Sequence, residues 1–215
     1  MGKMTLSQMV AQLAGGMGTS IQIFVVTLVF SLPLGLIVAF GRMTKNGFLR
    51  NLVKVYISIM RGTPLMLQLM VVYFGPFYLF GMNIGKWRFP AIITGFALNY
   101  GAYFAEIYRS GIVSMDRGQY EAAKLLGYSK GQTFVRIILP QVVKRILPAI
   151  TNEVITLVKD TSLARVIALQ EVIWMGESFM KGNSGIAGLV WPLFFTAVYY
   201  LIFSGIVTVL LGNLE

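Results

Sequence analysis

Ser20-Ile-Gln-Ile-Phe-Val-Val-Thr-Leu-Val-Phe-Ser-Leu-Pro-Leu-Gly-Leu-Ile-Val-Ala-Phe40 is a stretch of 21 residues without a single charge, and no charge lies between Lys3 and Arg42. Crossing ~30 Å of hydrocarbon at ~1.5 Å per helical residue takes about 20 apolar residues. The stretch therefore predicts a membrane-spanning helix. It is too long for the apolar region of a signal peptide and has no convincing cleavage site, so it belongs to the mature chain. Met4 to Leu13 before it predicts a short interfacial helix.

The rest of the chain agrees with a membrane solvent. Of its 215 residues, 56% are hydrophobic and only 12% charged, and mean hydropathy is +0.73. A soluble domain carries about 25% charged residues, twice this share. Further spans are expected at about 64–80, 89–108, 139–158 and 189–211, giving five in one domain covering 1–215. The fourth is interrupted by Lys144, Arg145 and Glu153, yet polar residues inside a span usually mark function or helix contact. Trp87, Trp174 and Trp191 fall near the expected outer boundaries and fit an aromatic belt.

Charge orients the spans. The connections after spans one and three, through to Arg145, carry twelve Lys and Arg residues, whereas the other two carry five. The richer side is cytoplasmic, which places the N-terminus outside and the C-terminus inside. The net charge of +10 is thereby explained without nucleic acid, for which no basic patch interleaved with aromatics exists. With no Cys and no His, thiolate nucleophiles, imidazole bases and zinc sites drop out. No phosphate-cradling GxxxxGK[ST] loop occurs, so ATP hydrolysis would belong to another chain.

Five unrepeated spans are few to enclose a pathway, so an oligomer is expected. Ala97, Gly101 and Ala105 make a small-residue stripe at intervals of four on span three, suited to close helix approach either within the subunit or across a dimer.

Between spans three and four the chain reads Asp116-Arg-Gly-Gln-Tyr-Glu-Ala-Ala-Lys-Leu-Leu-Gly127. Asp116 is a natural N-cap and Gly127 a natural C-cap, so a short helix at about 117–127 is expected on the cytoplasmic face. Glu121-Ala122-Ala123, Gly127, Ile137 and Leu139-Pro140 are seven fixed residues across twenty positions. This pattern resembles the EAA loop of ABC importer permeases. Arg61-Gly-Thr-Pro-Leu65 with Gln68-Leu69, the stretch Asn99 to Ile112, and Asn152-Glu153 with Lys159 to Leu163 are similar to the polar amino-acid branch of that family. The resemblance covers the chain from about Ser20 onward. It implies an all-α, five-span permease of the methionine-importer type, working as a dimer in a prokaryotic inner membrane. It also implies two ATPase subunits, which bind ATP and magnesium, and an extracytoplasmic amino-acid-binding protein. Glu121, Ala122, Ala123 and Gly127 would then couple the ATPase to the pathway.

A pathway for an amino acid needs groups for an ammonium and a carboxylate. Glu153 lies about 14 residues beyond Leu139, roughly 21 Å along the helix, where a carboxylate is costly unless paired or wet. Asp160 follows seven residues later on the same face. Together they can hold a cation, although Glu153 can equally pair with a basic residue of a neighbouring span. Lys159 can meet a carboxylate, snorkel outward or pair with Asp160. Asn99, Tyr103 and Glu106 form one polar face of span three, with Asn99 either binding substrate or bridging helices, and Glu106 expected to pair with Arg109. Thr63 and Gln68 flank Pro64, which either opens the helix or simply starts it. Two acidic groups on one face lean towards arginine, lysine or histidine as substrate. The alternative is an oligomeric passive channel or ion-driven carrier, which leaves the Glu121 to Gly127 pattern unexplained.

Overall fold

The computed structural model describes residues 6–181 and 190–213, all of whose regular elements are helical. Helix α1 runs from Leu6 to Met43 and joins without a break what the sequence divides into an interfacial piece and a span; Met4 lies outside the described residues. Gly15 and Gly16 lie at the junction of the two pieces, and packing holds the helix continuous there. A Cβ on Gly16 would come within 2.9 Å of the Val172 backbone, so glycine lets another helix seat against α1 and hold it straight. That partner is α8 (Val172–Lys181), which contributes Val172 and Phe179 to a cluster with Met9, Leu13 and Met17.

Helix α2 (Gly47–Gly62) is capped by Asn46, whose side chain accepts from the Phe48 and Leu49 amides. It meets α3 (Leu65–Phe80) at an angle of 109°. The long α4 (Arg88–Val113) packs most extensively on α1. Its small-residue stripe serves that contact. A Cβ on Gly101 would lie 2.9 Å from Leu34 Cδ2, and one on Gly35 would lie 2.7 Å from Phe104 Cβ and 3.2 Å from both the Ala105 amide and the Gly101 carbonyl. Gly35→Ala is therefore expected to cost about 1–3 kcal/mol, because helix backbone cannot move aside. The check is the thermal midpoint in detergent, with Gly15→Ala, which meets nothing within 4 Å, expected to be neutral or slightly stabilising.

After α5 (Arg117–Leu125) and the single turn α6 (Lys130–Thr133), a π-helical turn at Phe134–Ile138 leads into α7 (Leu139–Asp160). Pro140 has no amide hydrogen and its ring crowds the carbonyl four residues back. Widening the turn, with the Leu139 amide bonded to the Phe134 carbonyl, accommodates it. A 3₁₀ segment at Thr161–Ile167 precedes α8, and α9 (Trp191–Gly212) closes the bundle. The expected fifth span begins at Leu189, just outside the described residues. The core lies where α1, α3, α4, α7 and α9 meet, around Phe96, Tyr100, Phe104 and Leu157.

By length and apolar composition α1 and α9 each suffice to cross a membrane, and the bent pair of α2 and α3 makes a third. Helices α4 and α7, of 26 and 22 residues, are long enough at ~1.5 Å per residue but carry more charge.

Candidate functional site

The bend between α2 and α3 follows from Pro64. Proline disfavours helix in the residue before it, and Thr63 is extended at φ −122°, ψ 149°. The helix ladder is thus broken at Met60, whose carbonyl needs other donors. Asn99 Nδ2 donates to it at 2.9 Å and Gln68 Nε2 at 3.0 Å. Gln68 Nε2 also reaches Thr63 Oγ1 at 2.8 Å, while Asn99 Nδ2 donates to Gln68 Oε1 at 2.9 Å. Asn99, Thr63 and Gln68 are accordingly drawn into one network, and Pro64 caps α3 after a true break instead of starting it plainly. In this geometry Asn99 is largely occupied in bridging α4 to the elbow.

One residue along α4, the buried Tyr100 donates its hydroxyl to Asp160 Oδ2 at 2.7 Å. The burial of a phenol in a span demands an acceptor, a signal that identifies Tyr100 once Asp160 is singled out. Tyr103 lies beneath the Arg61 guanidinium, 5.2 Å from ring centroid to carbon. Arg61 is also near enough to Glu153 to act on it electrostatically. Glu153 is half-buried and forms no salt bridge among the described residues. Lys159 is exposed and pairs with no carboxylate there. Glu106 bonds Arg109, with the guanidinium Nε at 2.9 Å. The seven residues therefore divide into an elbow network of Asn99, Thr63 and Gln68, Tyr103 beneath Arg61, Asp160 paired with Tyr100 and with the open Glu153 carboxylate on the same helix, and the exposed Lys159.

Helix α5 is built as its sequence reads. Asp116 Oδ1 accepts from the Gly118 amide at 2.8 Å. At the other end Gly127 has φ +80°, the Tyr128 amide bonds the Ala123 carbonyl at 3.0 Å and the Gly127 amide bonds Lys124 at 3.0 Å. That pair of bonds is a Schellman cap, in which glycine takes the left-handed position. The helix ends at Leu125, so Gly127 lies in its cap. Ala123 is buried, whereas Glu121 and Ala122 face outward and Leu125 and Leu126 are 89% and 75% exposed. Reciprocal amide bonds join Gln119 to Gln141 at 2.8 and 3.0 Å, and Arg145 Nη1 holds the Ser114 carbonyl at 2.8 Å. Helix α5 is thereby clamped to the start of α7, which is itself tied to the end of α4.

Glu171, absent from the sequence-based site, is fully buried at the start of α8. Its carboxyl accepts from the Ile173 and Trp174 amides at 2.8 and 2.7 Å and from Tyr200 at 3.4 Å. Burial pushes its pKa up to about 7, against the opposing pull of those donors. An acid whose pKa is raised on folding favours the native state most below its unfolded value of about 4.3. The thermal midpoint is therefore expected to fall as pH rises from about 4.5 to 7 and to flatten beyond it; Glu171→Gln removes this slope, read by melting at a series of pH values.

Residues 31–215 match the family described as binding-protein-dependent transport system inner membrane component. The L-cystine transport system permease protein TcyB of Bacillus subtilis is 40% identical over 172 residues, covering 80% of this chain and 72% of that one. The arginine transport system permease protein ArtQ of the same organism is 37% identical, covering 88% and 87%. A solved amino acid ABC transporter with histidines superposes at TM-score 0.84 and 28% identity over 100% of this chain and 99% of its own. The MetNI methionine transporter superposes at TM-score 0.70 and 18% identity, covering 98% and 97%, which speaks to the fold alone.

Proposed function

Since the chain belongs to the binding-protein-dependent transport system inner membrane components, we propose that it forms the translocation pathway of an ATP-driven importer for polar amino acids. It is a membrane-embedded, non-catalytic permease subunit of the amino-acid ABC type. In our reading five spans, α1, α3, α4, α7 and α9, cross the inner membrane with the N-terminus outside and the C-terminus in the cytoplasm. A second permease subunit completes the pathway, two ATPase subunits bind ATP and magnesium, and an extracytoplasmic binding protein delivers the amino acid.

The observation that carries the substrate site is the open Glu153 carboxylate beside the Tyr100–Asp160 pair. An acidic station inside a bundle suits an ammonium, and the substrate's other groups are assigned to Lys159, Asn99, Tyr103, Thr63 and Gln68. The relatives are named for cystine, arginine and glutamine, so the ammonium of any amino acid serves the argument. A basic side chain as a second cation gives the lean towards arginine, lysine or histidine. Coupling belongs to Glu121, Ala122, Ala123 and Gly127 on α5 and its cap, whose clamp to α7, itself tied to the end of α4, lets displacement of α5 reach the helices that carry the site.

The test is uptake into proteoliposomes holding the permease, its ATPase and its binding protein, with labelled amino acids offered singly. ATP-dependent uptake is expected, and Glu153→Gln should lower it at least tenfold, as loss of a charged contact of ~1.5–3 kcal/mol implies. Uptake indifferent to ATP would favour the channel or ion-driven carrier.

A further inference from the structure

A second station lies further along α4, nearer its C-terminal end. A cavity of about 190 Å³ opens between α1, α2 and α4, lined by Arg42, Lys54, Ile57, Ser58, Arg61 and Glu106. Lys54, Ser58 and Arg61 follow at helical spacing along one face of α2. The single carboxylate, Glu106, is already bound to Arg109. Arg42, Lys54 and Arg61 form no salt bridge among the described residues, although Arg42 and Arg61 both act electrostatically on Glu106. Three cations thus converge on a space with no free acid, which is a built-in deficit of negative charge. The cavity takes an oxyanion.

Tyr100, at the acidic station, and Glu106 are six residues apart, about 9 Å along α4. The α-ammonium and carboxylate of an amino acid sit on the same carbon, so a molecule whose α-ammonium is held at the Tyr100–Asp160 pair does not also place its carboxylate in the cavity. The two stations are therefore used in succession. Arg61 links them, lying over Tyr103 on one side and lining the cavity on the other. We propose that the basic cavity is an exit station that holds the α-carboxylate of the amino acid after it leaves the acidic station and before it enters the cytoplasm. This inference rests on the import function and orientation proposed above.

An occupied exit station makes transport sensitive to product on the cytoplasmic side. The experiment uses proteoliposomes of the complete transporter with ATP and the ATPase inside. Arginine, glutamine and cystine are each offered, and the one imported is preloaded unlabelled at rising concentration. Wild type is expected to be inhibited by the preload. The double variant Arg42→Gln/Lys54→Gln should need about tenfold more preload for the same inhibition, since two charged contacts are gone, with the half-saturating external concentration unchanged. Preloading the decarboxylated counterpart (agmatine, 4-aminobutanamide or cystamine) should not inhibit either protein. Equal inhibition of wild type and variant, or equal inhibition by the amine, overturns the exit station. So does a difference between the proteins that disappears when phosphatidylglycerol is replaced by phosphatidylcholine, because the occupant is then a lipid phosphate. Failure of wild type to import any of the three with ATP instead overturns the import reading, which separates the two.

Discussion

ATP-driven uptake is expected to fall by about two orders of magnitude in Glu121→Lys, with the permease still folded. Glu121 is exposed on α5 beside Tyr120, Lys124 and Tyr128, and the bare Leu125 and Leu126 follow it. A helix that, with its cap, shows two leucines and a carboxylate to water, yet is tied through Gln119 to α7, is shaped for a partner. Truncating one side of a buried charge contact at an interface costs ~2–5 kcal/mol, which is about 30- to 5,000-fold in affinity; reversing the charge belongs in the same range. No hydrogen bond or salt bridge within the described subunit uses Glu121, so the thermal midpoint of the isolated permease should not move. Gly127→Val tests the same element by another route. Its left-handed backbone costs a side-chain-bearing residue ~1–2 kcal/mol, so the Schellman cap opens and the tip of α5 is misplaced. Copurification of the ATPase, ATP hydrolysis and uptake would be measured on the same preparations. Wild-type uptake in both variants would refute a coupling role for α5.

The parts of this architecture that the sequence discloses are those fixed by local chemistry. Asp116 caps the second amide after it and Gly127 takes a left-handed turn; both effects act within a few residues and are readable from residue type. The charge-free run of α1 is legible for the same reason. The 109° elbow was not, because what stabilises it comes from elsewhere. Pro64 permits a break, but the exposed Met60 carbonyl is satisfied by Asn99, 39 residues away in sequence. The same holds for the continuous α1, where the contact that Gly16 permits is with the backbone of Val172, far away in sequence. Glu171 is the extreme case. On sequence alone it is one of eight acids, and nothing near it announces full burial at a helix start. Long-range pairing also divides the site residues. Asn99, Gln68 and Thr63 turn towards each other, leaving Glu153 and Asp160 as acidic groups of the bundle that form no salt bridge among the described residues.

Asp160 then offers the sharpest separation of structure from function. Its carboxylate accepts from the Tyr100 hydroxyl at 2.7 Å, a bond to a charged group worth ~1.5–3 kcal/mol. Tyr100→Phe leaves the carboxylate short of a donor, so the thermal midpoint is expected to drop. Asp160→Asn retains an oxygen to accept the same bond and removes only the charge, and it should melt close to wild type. Transport should rank the other way. Without its negative charge the acidic station loses one of two attractions for an ammonium, and uptake through Asp160→Asn is expected to fall about 100-fold, Tyr100→Phe only about tenfold. The double variant decides whether the residues act as a unit. If Tyr100 serves transport only by orienting Asp160, Tyr100→Phe adds nothing to the uptake defect of Asp160→Asn, although its stability loss persists. Additive uptake defects would mean that the Tyr100 hydroxyl meets the substrate itself. A large melting loss in Asp160→Asn with normal uptake would reduce Asp160 to a structural partner and leave Glu153 as the sole acid of the station.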